Sequence, residues 1–253
     1  MSARLAGRRV LVVGAARGVG AAAALRFRDE GARVAALDRD AEALARFLAQ
    51  AGAPEITPVL ADITDADAVE RAVGEAARAL GGLDGLVNAA GVDLVAPIED
   101  MAPEQWAHVL AVNLTGPTLV MRAAFPHLRA AAPATIVNVS SAAGLSPLRG
   151  RAAYCASKAG LQMVSKALAM EGADAGVRVN VVCPGAVETD LLRSSLQSAP
   201  DPIAAREAVK ARYALKRIAE PREIAEALLF LTSHESSYVT GATLAVDGGR
   251  TFH

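Results

Sequence analysis

Tyr154 and Lys158 are the pair of side chains in this sequence with the clearest capacity for acid-base chemistry. The surrounding residues predict a helix, and residues four apart on a helix lie on the same face. A tyrosine hydroxyl has a reference pKa of about 10, and a nearby cation stabilises the phenolate. We therefore predict that Lys158 lowers the pKa of Tyr154, so that the phenol exchanges a proton with an alcohol or ketone near neutral pH.

The N-terminal part of the chain predicts a nucleotide-binding unit. The apolar run Arg9–Val13 is typical of a buried parallel strand, and Gly14, Gly18 and Gly20 follow it before an alanine-rich helix. Glycines permit a tight turn and a close approach of the backbone to a diphosphate, which the free N–H groups at the helix start can bind. Asp38 closes a second predicted strand roughly 20 residues later, as in dinucleotide-binding units. The alternative is a strand-to-helix connection without a ligand.

Composition excludes several classes of protein. The chain has 253 residues, 53% hydrophobic and 4% aromatic, enough for one large aliphatic core. A net charge of −1 gives no electrostatic reason to expect nucleic acid or an anionic membrane as a partner. Cys155 and Cys183 lack metal or redox-motif spacing, and no apolar run approaches the roughly 18 residues that span a bilayer. Without a signal-peptide pattern, we expect a cytoplasmic protein with reduced cysteines and no metal.

Strand and helix patterns alternate along the rest of the chain. This alternation is typical of a doubly wound parallel sheet with helices on both faces. We predict a single-domain Rossmann-type α/β fold of about seven strands over residues 1–253, with ligands at the carboxyl ends of the strands. The predicted strands after Asp38 cover residues 56–60, 85–88, 135–139, 177–182 and 243–246. The predicted helices cover residues 41–51, 65–80, 103–128 and 152–173, and a further helix starts near Pro221 after an irregular stretch.

Six short motifs together resemble the short-chain dehydrogenase/reductase family over essentially the whole chain. Each motif is common by itself, but their combined order and spacing are specific. The motifs are Gly14-x-x-x-Gly18-x-Gly20, Asn88-Ala-Ala-Gly91, Val112-Asn113, Ser140-Ser141, Tyr154-x-x-x-Lys158 and Pro184-Gly185. The chain departs from the family pattern at Val13, where the family often has a threonine whose hydroxyl ties the turn to neighbouring backbone.

The resemblance implies a catalytic role for four residues. Tyr154 would donate a proton to a ketone and, as a phenolate, accept one from an alcohol. Lys158 would lower its pKa and bind the nicotinamide ribose, and Ser141 would hold the substrate oxygen, with Ser140 as the alternative hydroxyl. Asn113, inside the long predicted helix, would anchor a water that passes protons onward from Lys158. The structural alternatives are a capping asparagine, a serine at a strand end and a surface pair of tyrosine and lysine.

Asp38 favours NAD as the cofactor over NADP. A carboxylate at the end of the second strand accepts hydrogen bonds from the adenosine ribose hydroxyls and repels a 2′-phosphate. Two arginines, Arg17 in the glycine-rich turn and Arg39 after the aspartate, could soften that rejection. NADP therefore stays open as the less favoured cofactor.

The resemblance adds further contacts to the cofactor. Thr189 would hold the nicotinamide carboxamide beside the backbone of Val187. Asp62 and Ile63 resemble the family's adenine-contacting pair, although Asp62 could instead begin a helix. The predicted cofactor site comprises Gly14, Arg17, Gly18, Val19, Gly20, Asp38, Arg39, Asp62, Ile63, Asn88, Ala89, Gly91, Tyr154, Lys158, Pro184, Gly185, Val187 and Thr189.

The substrate is less well defined by the sequence. Residues 186–218 form a long basic segment that we expect to act as a lid over the substrate. Arg151, near one helical turn before Tyr154, could bind a carboxylate bidentately together with Arg212 of the lid. This arrangement resembles the hydroxybutyrate-type and sugar-acid branch of the family, so a small hydroxy acid, a sugar or a sugar acid is a candidate. The alternative places these arginines on solvated helix faces or in subunit contacts. Asp93 is a candidate for the pocket wall.

Three functions are compatible with the sequence. The first is an NAD-dependent oxidoreductase that transfers a hydride between the cofactor and a secondary alcohol or ketone. The second is a 3-oxoacyl-thioester reductase acting on acyl carrier protein with NADPH, which Asp38 disfavours. The third is a non-catalytic NAD(H)-binding regulatory protein, which the complete set of Asn113, Ser141, Tyr154 and Lys158 argues against. The resemblance also implies a homotetramer, assembled through the helix of Tyr154 and the long helix before it.

Overall fold

The computed structural model describes residues 3–197 and 199–252. Its strands are β1 (Arg9–Val13), β2 (Arg33–Asp38), β3 (Thr57–Leu60), β4 (Gly85–Asn88), β5 (Ala134–Val139), β6 (Val177–Pro184) and β7 (Thr243–Val246). Within the described residues these seven strands form one parallel sheet in the order β3-β2-β1-β4-β5-β6-β7. The chain reverses its direction of travel between β1 and β4, which opens a crevice at their carboxyl ends. The predicted doubly wound α/β fold is confirmed.

Helices cover both faces of the sheet. They are α1 (Gly18–Asp29), α2 (Ala41–Gln50), α3 (Ala66–Leu80), α4 (Pro103–Leu110), α5 (Gly116–Ala130), α6 (Ala152–Ala173), α7 (Asp190–Gln197), α8 (Pro202–Ala211) and α9 (Pro221–Thr232). The core on one face packs α3, α5 and α6 against the sheet, and the core on the other packs α1, α2 and α9. No helix among the described residues is long and apolar enough to cross a membrane.

After Arg9, the residues of β1 form a continuous apolar run because they contact a core on each face of the sheet. Leu11 and Val13 belong to the core beneath α3 and α5. Val10 and Val12 belong to the opposite core beneath α1 and α9. Because successive side chains of a strand point to opposite faces, a strand covered by helices on both sides needs apolar residues at every position.

Short acidic side chains begin several helices. Asp40 accepts a hydrogen bond from the N–H of Ala43 at the start of α2, at 3.0 Å. Asp65 accepts from two N–H groups of α3, and Asp201 accepts from two N–H groups of α8. These carboxylates satisfy N–H groups that the helix itself leaves without acceptors.

Two predicted segments differ from the structure. The predicted helix 103–128 is interrupted by a wide π-helical turn, Ala111–Thr115, between α4 and α5. The stretch predicted as irregular before Pro221 contains α7 and α8. Asp201 followed by Pro202 is a recognisable helix start that the prediction overlooked. Ser198, inside the predicted lid, lies outside the described residues, as do the first two residues and the last.

Candidate active site

A cavity of about 660 Å³ lies at the carboxyl ends of the strands. Most of the residues that the sequence singled out share its wall. They are Gly14, Arg17, Gly18, Val19, Asp38, Arg39, Asp62, Ile63, Ala89, Gly91, Ser141, Arg151, Tyr154, Lys158, Pro184, Gly185, Val187, Thr189 and Arg212. Gly20, Asn88 and Asn113 are predicted site residues that support the wall from behind and are buried.

Gly14 and Gly20 let the backbone fold tightly after β1. Gly14 has a φ of +76°, and a Cβ at this position would lie 2.6 Å from the backbone of Ala90. A Cβ at Gly20 would lie 2.1 Å from the carbonyl oxygen of Gly14. The N–H of Gly14 donates to the carbonyl of Leu37 at 2.8 Å. This backbone bond anchors the turn to β2, although Val13 supplies no hydroxyl.

The first turn of α1 faces the cavity and has no side-chain cap. Arg17 precedes α1 and makes no side-chain hydrogen bond to the first turn, which also contains no acidic residue. Gly18 begins the helix, and a Cβ there would lie 3.1 Å from the side chain of Thr189. A narrow space between the helix start and Thr189 is therefore kept open by the glycine. N–H groups and the positive end of the helix dipole suit an anion such as a diphosphate.

Asp38 lies at the end of β2 with its carboxylate held by backbone. Its Oδ2 accepts from the N–H of Ala16 at 3.0 Å, and its Oδ1 accepts from the N–H of Asp40 at 3.1 Å. The carboxylate is therefore fixed in the cavity wall beside the glycine-rich turn. An ionised carboxylate has acceptor positions for further donors, such as ribose hydroxyls.

The two arginines near Asp38 are both paired with other carboxylates. Arg17 forms an ion pair with Asp40. The Nη1 of Arg39 lies 3.6 Å from Oδ2 of Asp62. Both arginine side chains are more than half exposed. Exposed ion pairs are weak, so these pairs occupy both guanidinium groups without locking them in place.

Lys158 and Tyr154 lie on α6, as predicted, and on one wall of the cavity. The buried Nζ of Lys158 donates to the carbonyl of Val139 at 3.0 Å. The same Nζ lies 5.9 Å from the centroid of the Tyr154 ring. A Cβ at Gly91 would lie 3.3 Å from this Nζ and 3.3 Å from Oδ1 of Asn113. Gly91 therefore leaves room beside both the lysine and the asparagine.

The predicted lowering of the Tyr154 pKa is wrong for the protein alone. Burial raises the pKa of Tyr154 to about 12, and the Ser141 hydroxyl acts in the opposite direction. Burial also lowers the pKa of Lys158 to about 8. Desolvation disfavours the charged form of each group, and at 5.9 Å from the ring centroid the lysine does not overcome it.

The two neighbouring serines have different partners. Ser140 is buried, donates to the carbonyl of Lys158 at 2.8 Å and accepts from Gln162 at 3.0 Å. Ser141 lines the cavity, accepts from the N–H of Ala143 at 3.0 Å and lies near enough to Tyr154 to lower the pKa of the phenol against the effect of burial. The Ser140 hydroxyl is thus used within the protein, whereas Ser141 stands beside the phenol.

Asn113 lies in the π-helical turn with its side chain fully buried. Its Oδ1 accepts from the N–H of Val92, and its Nδ2 donates to the carbonyl of Val92, each at 2.8 Å. The Nδ2 also donates to the Ser157 hydroxyl at 3.1 Å. These bonds tie the loop after β4 to α6. The water-anchoring role implied by the family resemblance stays a prediction.

The predicted lid, residues 186–218, is braced by bonds between its own residues. Glu188 accepts from Arg193 at 3.2 Å and from Arg206 at 2.5 Å. The hydroxyl of Tyr213 accepts from the N–H of Ala186 at 2.8 Å. Tyr213 also lines the cavity, a position that no motif in the sequence indicated.

Arg151 is engaged within the protein rather than free for a substrate carboxylate. Its Nη1 donates to Oδ2 of Asp93, and its Nη2 donates to the Ser195 hydroxyl of α7 at 3.0 Å. The Asp93 side chain is 8% exposed and lines the cavity. Arg212, the second predicted arginine, also lines the cavity and is exposed. Asp93 was a candidate for the cavity wall because it follows Gly91, but nothing in the sequence indicated that Asp93 pairs with Arg151.

Known proteins share both the sequence and the fold. Residues 14–251 match the family model described as enoyl-(acyl carrier protein) reductase. The 2,5-dichloro-2,5-cyclohexadiene-1,4-diol dehydrogenase LinX of Sphingobium indicum is 37% identical over 251 residues, 98% of each chain. Glucose 1-dehydrogenase of Gluconobacter oxydans is 40% identical over 254 residues, 99% of this chain and 94% of the relative. The ligand-free structure of Thermoplasma acidophilum aldohexose dehydrogenase matches with a TM-score of 0.89 and 30% identity, covering 100% of this chain and 97% of that one.

The fold, the shared cavity and these similarities define an α/β oxidoreductase that uses a nicotinamide nucleotide, NAD or NADP. The chain belongs to the short-chain dehydrogenase/reductase family, and the resemblance seen in its motifs is confirmed. It acts on the CH–OH group of a small molecule, interconverting a secondary alcohol and a ketone.

Proposed function

We propose that the protein is an NAD-dependent dehydrogenase/reductase in which Tyr154 moves the proton. The observation that carries this proposal is the shared cavity wall. The phenol of Tyr154, the hydroxyl of Ser141 and the buried amine of Lys158 lie there together with Asp38. Proton transfer and cofactor recognition can therefore occur in one cavity that holds both the cofactor and the substrate.

In alcohol oxidation, the substrate hydroxyl would lie between Ser141 and Tyr154. The Tyr154 phenolate takes the hydroxyl proton while the carbinol carbon gives up its hydride. When bound, the nicotinamide supplies the hydride acceptor. Lys158 places a positive charge beside the phenolate, and Asn113 holds the loop of Val92 against α6. In ketone reduction, Tyr154 returns its proton to the carbonyl oxygen.

The residues present fit a dinucleotide. The glycine-rich turn and the uncapped start of α1 suit the diphosphate, and Asp38 suits the adenosine ribose. Thr189 and Val187 line the same cavity, in keeping with a contact to the carboxamide, and Asp62 and Ile63 line it in keeping with a contact to adenine. The carboxylate of Asp38 repels a 2′-phosphate, and both nearby arginines already have carboxylate partners, Arg17 in Asp40 and Arg39 in Asp62, which favours NAD.

We further propose that the chain acts as one domain with residues 186–218 as its lid, that it works in the cytoplasm, and that it assembles as a homotetramer. Met163 and Met170 on α6 are 65% and 81% exposed. Exposed methionines on the helix of Tyr154 suit an interface between copies of the chain.

The experiment that tests the proposed function measures initial rates with NAD and with NADP over a panel of secondary alcohols, sugars, hydroxy acids and the corresponding ketones. We expect NAD-linked turnover that falls by about 10²- to 10⁴-fold in Tyr154→Phe. Because burial raises the pKa of Tyr154, oxidation should accelerate as the pH rises, whereas reduction should not.

Two outcomes would contradict this proposal. NADP-linked reduction of 3-oxoacyl thioesters, with no NAD-linked alcohol oxidation, would favour the acyl-thioester reductase. Tight NAD binding measured by calorimetry, with rates equal in the wild type and Tyr154→Phe, would favour the non-catalytic regulatory protein.

A further inference from the structure

The carboxylate of Asp93 has unused hydrogen-bonding capacity in the cavity wall. Its Oδ2 accepts from the Arg151 guanidinium. Its Oδ1 is buried and has no hydrogen-bond partner of good geometry within residues 3–197 and 199–252, although the N–H of Leu94 lies close enough to lower the pKa of the carboxyl, against burial, which raises it. An ionised carboxylate can accept about four hydrogen bonds, and a buried acceptor without a donor is costly. The Asp93 carboxylate therefore favours a ligand that carries a hydrogen-bond donor.

Asp93 lies near the groups that move the proton. Its charge raises the pKa values of both Tyr154 and Lys158, although burial dominates each of them. Arg151 is itself held by Ser195 at 3.0 Å, so the pair is fixed between the loop after β4 and the lid. Asp93 lines the cavity, and the torsion about its Cβ–Cγ bond is soft, so a modest turn would bring Oδ1 toward a bound hydroxyl while Oδ2 keeps its bond to Arg151.

We propose that Asp93 accepts a hydrogen bond from a second hydroxyl of the substrate, adjacent to the carbinol that Ser141 and Tyr154 hold. The substrate class is then a neutral vicinal diol or polyol. This inference rests on the proposed function and adds to it a residue that determines specificity. A hydroxyl donating to an ionised carboxylate forms a charge-assisted bond, about twice as strong as one between neutral groups.

The same arrangement disfavours a hydroxy acid. Arg151, which the sequence offered as a carboxylate ligand, is already paired with Asp93. A substrate carboxylate beside the carbinol would meet the like charge of Asp93. Arg212 and Arg250 also line the cavity and could attract an anion, so a hydroxy acid belongs in the test.

The test compares four ring compounds that differ only at the carbon next to the carbinol. They are cyclohexanol, cis- and trans-1,2-cyclohexanediol, and 2-hydroxycyclohexanecarboxylate. The measured quantity is kcat/KM with NAD, expressed relative to cyclohexanol, for the wild type, Asp93→Asn and Asp93→Ala. Asp190→Asn serves as the control, because Asp190 also lines the cavity but is exposed and paired with Arg193 at 3.1 Å.

In the wild type we expect the better diol isomer to exceed cyclohexanol at least tenfold and the hydroxy acid to fall below it. Asp93→Asn should reduce the diol preference at least tenfold and should raise the relative rate of the hydroxy acid. Asp93→Ala should do the same, and Asp190→Asn should leave both ratios as in the wild type. A loss of folding would lower all rates together without reversing the order of diol and hydroxy acid.

A wild type without diol preference, or a preference that survives both Asp93 variants, overturns the inference while Tyr154-dependent oxidation of alcohols upholds the proposed function. If neither the ring compounds nor the wider panel shows any Tyr154-dependent oxidation, the proposed function fails, and the inference that rests on it fails as well.

Discussion

The glycine-rich turn and the lid form two walls of one cavity and are held in opposite ways. In the turn, the backbone itself touches the neighbouring backbone, since a Cβ at Gly20 would lie 2.1 Å from the Gly14 carbonyl oxygen. In the lid, Glu188 holds Arg193 and Arg206, whose side chains are 54% and 40% exposed. Exposed ion pairs contribute about 0–1 kcal/mol each. The cofactor wall is therefore fixed by steric contact, whereas the lid keeps its shape partly through weak ion pairs among its own residues that can be broken and remade.

Substitution of the buried Lys158, away from the lid, should have the largest effect on activity. In Lys158→Met we expect activity to fall by about 10²- to 10⁴-fold, because the charge beside the phenolate is lost. The same variant should gain stability at pH 7. Burial lowers the pKa of Lys158 to about 8, so below that pH the folded protein carries a buried ammonium at a cost of about 3 kcal/mol, less about 1 for the hydrogen bond to Val139.

The sign of this effect is set by proton binding. Between a folded pKa of about 8 and the ordinary value of 10.5, the unfolded chain binds more protons than the folded one. The free energy of unfolding of the wild type therefore rises with pH across this range relative to that of the variant. The extra stability of Lys158→Met should disappear above pH 10.5. Thermal unfolding from pH 7 to 11 measures this, with exposed Lys166→Met as control. A variant less stable than the wild type at pH 7 would contradict the assigned cost of burial.

An intermediate effect is expected where the fixed wall meets charged side chains. Asp38→Ser removes the carboxylate that the backbone holds beside the turn, so a 2′-phosphate is no longer repelled. We expect the ratio of kcat/KM for NAD to that for NADP to fall by about ten- to hundredfold, the range for hydrogen bonds to charged groups. Glu42→Gln, an exposed change of the same charge on α2, should leave the ratio alone. An unchanged ratio in Asp38→Ser would remove Asp38 as the basis of NAD preference.

The smallest effect is expected in the lid. Glu188→Gln keeps the shape of the side chain but weakens its bonds to Arg193 and Arg206. We expect KM for the substrate to rise about two- to fivefold with little change in kcat, since each exposed pair is weak. Limited proteolysis within residues 186–218 should also become faster.

Glu207→Gln provides the matched control for that experiment, because its partner Lys210 lies within the same helix. It should change neither KM nor the rate of proteolysis. A large drop in kcat for Glu188→Gln would show that the lid is as firmly coupled to the chemistry as the glycine-rich turn is.

The fixed wall was largely predictable from the sequence, because its signals are local. Apolar runs covered on both faces identify the strands, and the glycines at 14, 18 and 20 identify the turn. Three of the four catalytic candidates were placed on the right elements, with Tyr154 and Lys158 on one helix and Ser141 after β5, whereas Asn113 lies in a π-helical turn and not in an unbroken helix. Their roles stay proposals until rates are measured.

The features of the site that the sequence did not predict depend on contacts between distant parts of the chain. Arg151 pairs with Asp93, 58 residues away, so an arginine that looked free for a substrate is already occupied. Burial, which spacing on a helix does not report, raises the Tyr154 pKa rather than lowering it. The π-helical turn depends on bonds between Asn113 and Val92, 21 residues apart. Only α8 of the lid has a local signal that the prediction overlooked, in Asp201 and Pro202.

Because of the π-helical turn, the geometry of the active site depends on the number of residues in this segment. A π turn holds about one residue more than an α turn, so the helix beyond it is rotated by roughly 100° relative to an unbroken α-helix. Asn113 can then reach Val92 while Gly116 faces Ile63, where a Cβ would lie 2.7 Å from that side chain. Deletion of a single residue from Ala111–Thr115 would turn one of these two faces away. Insertions and deletions are therefore more tightly constrained in this segment than the residue types themselves.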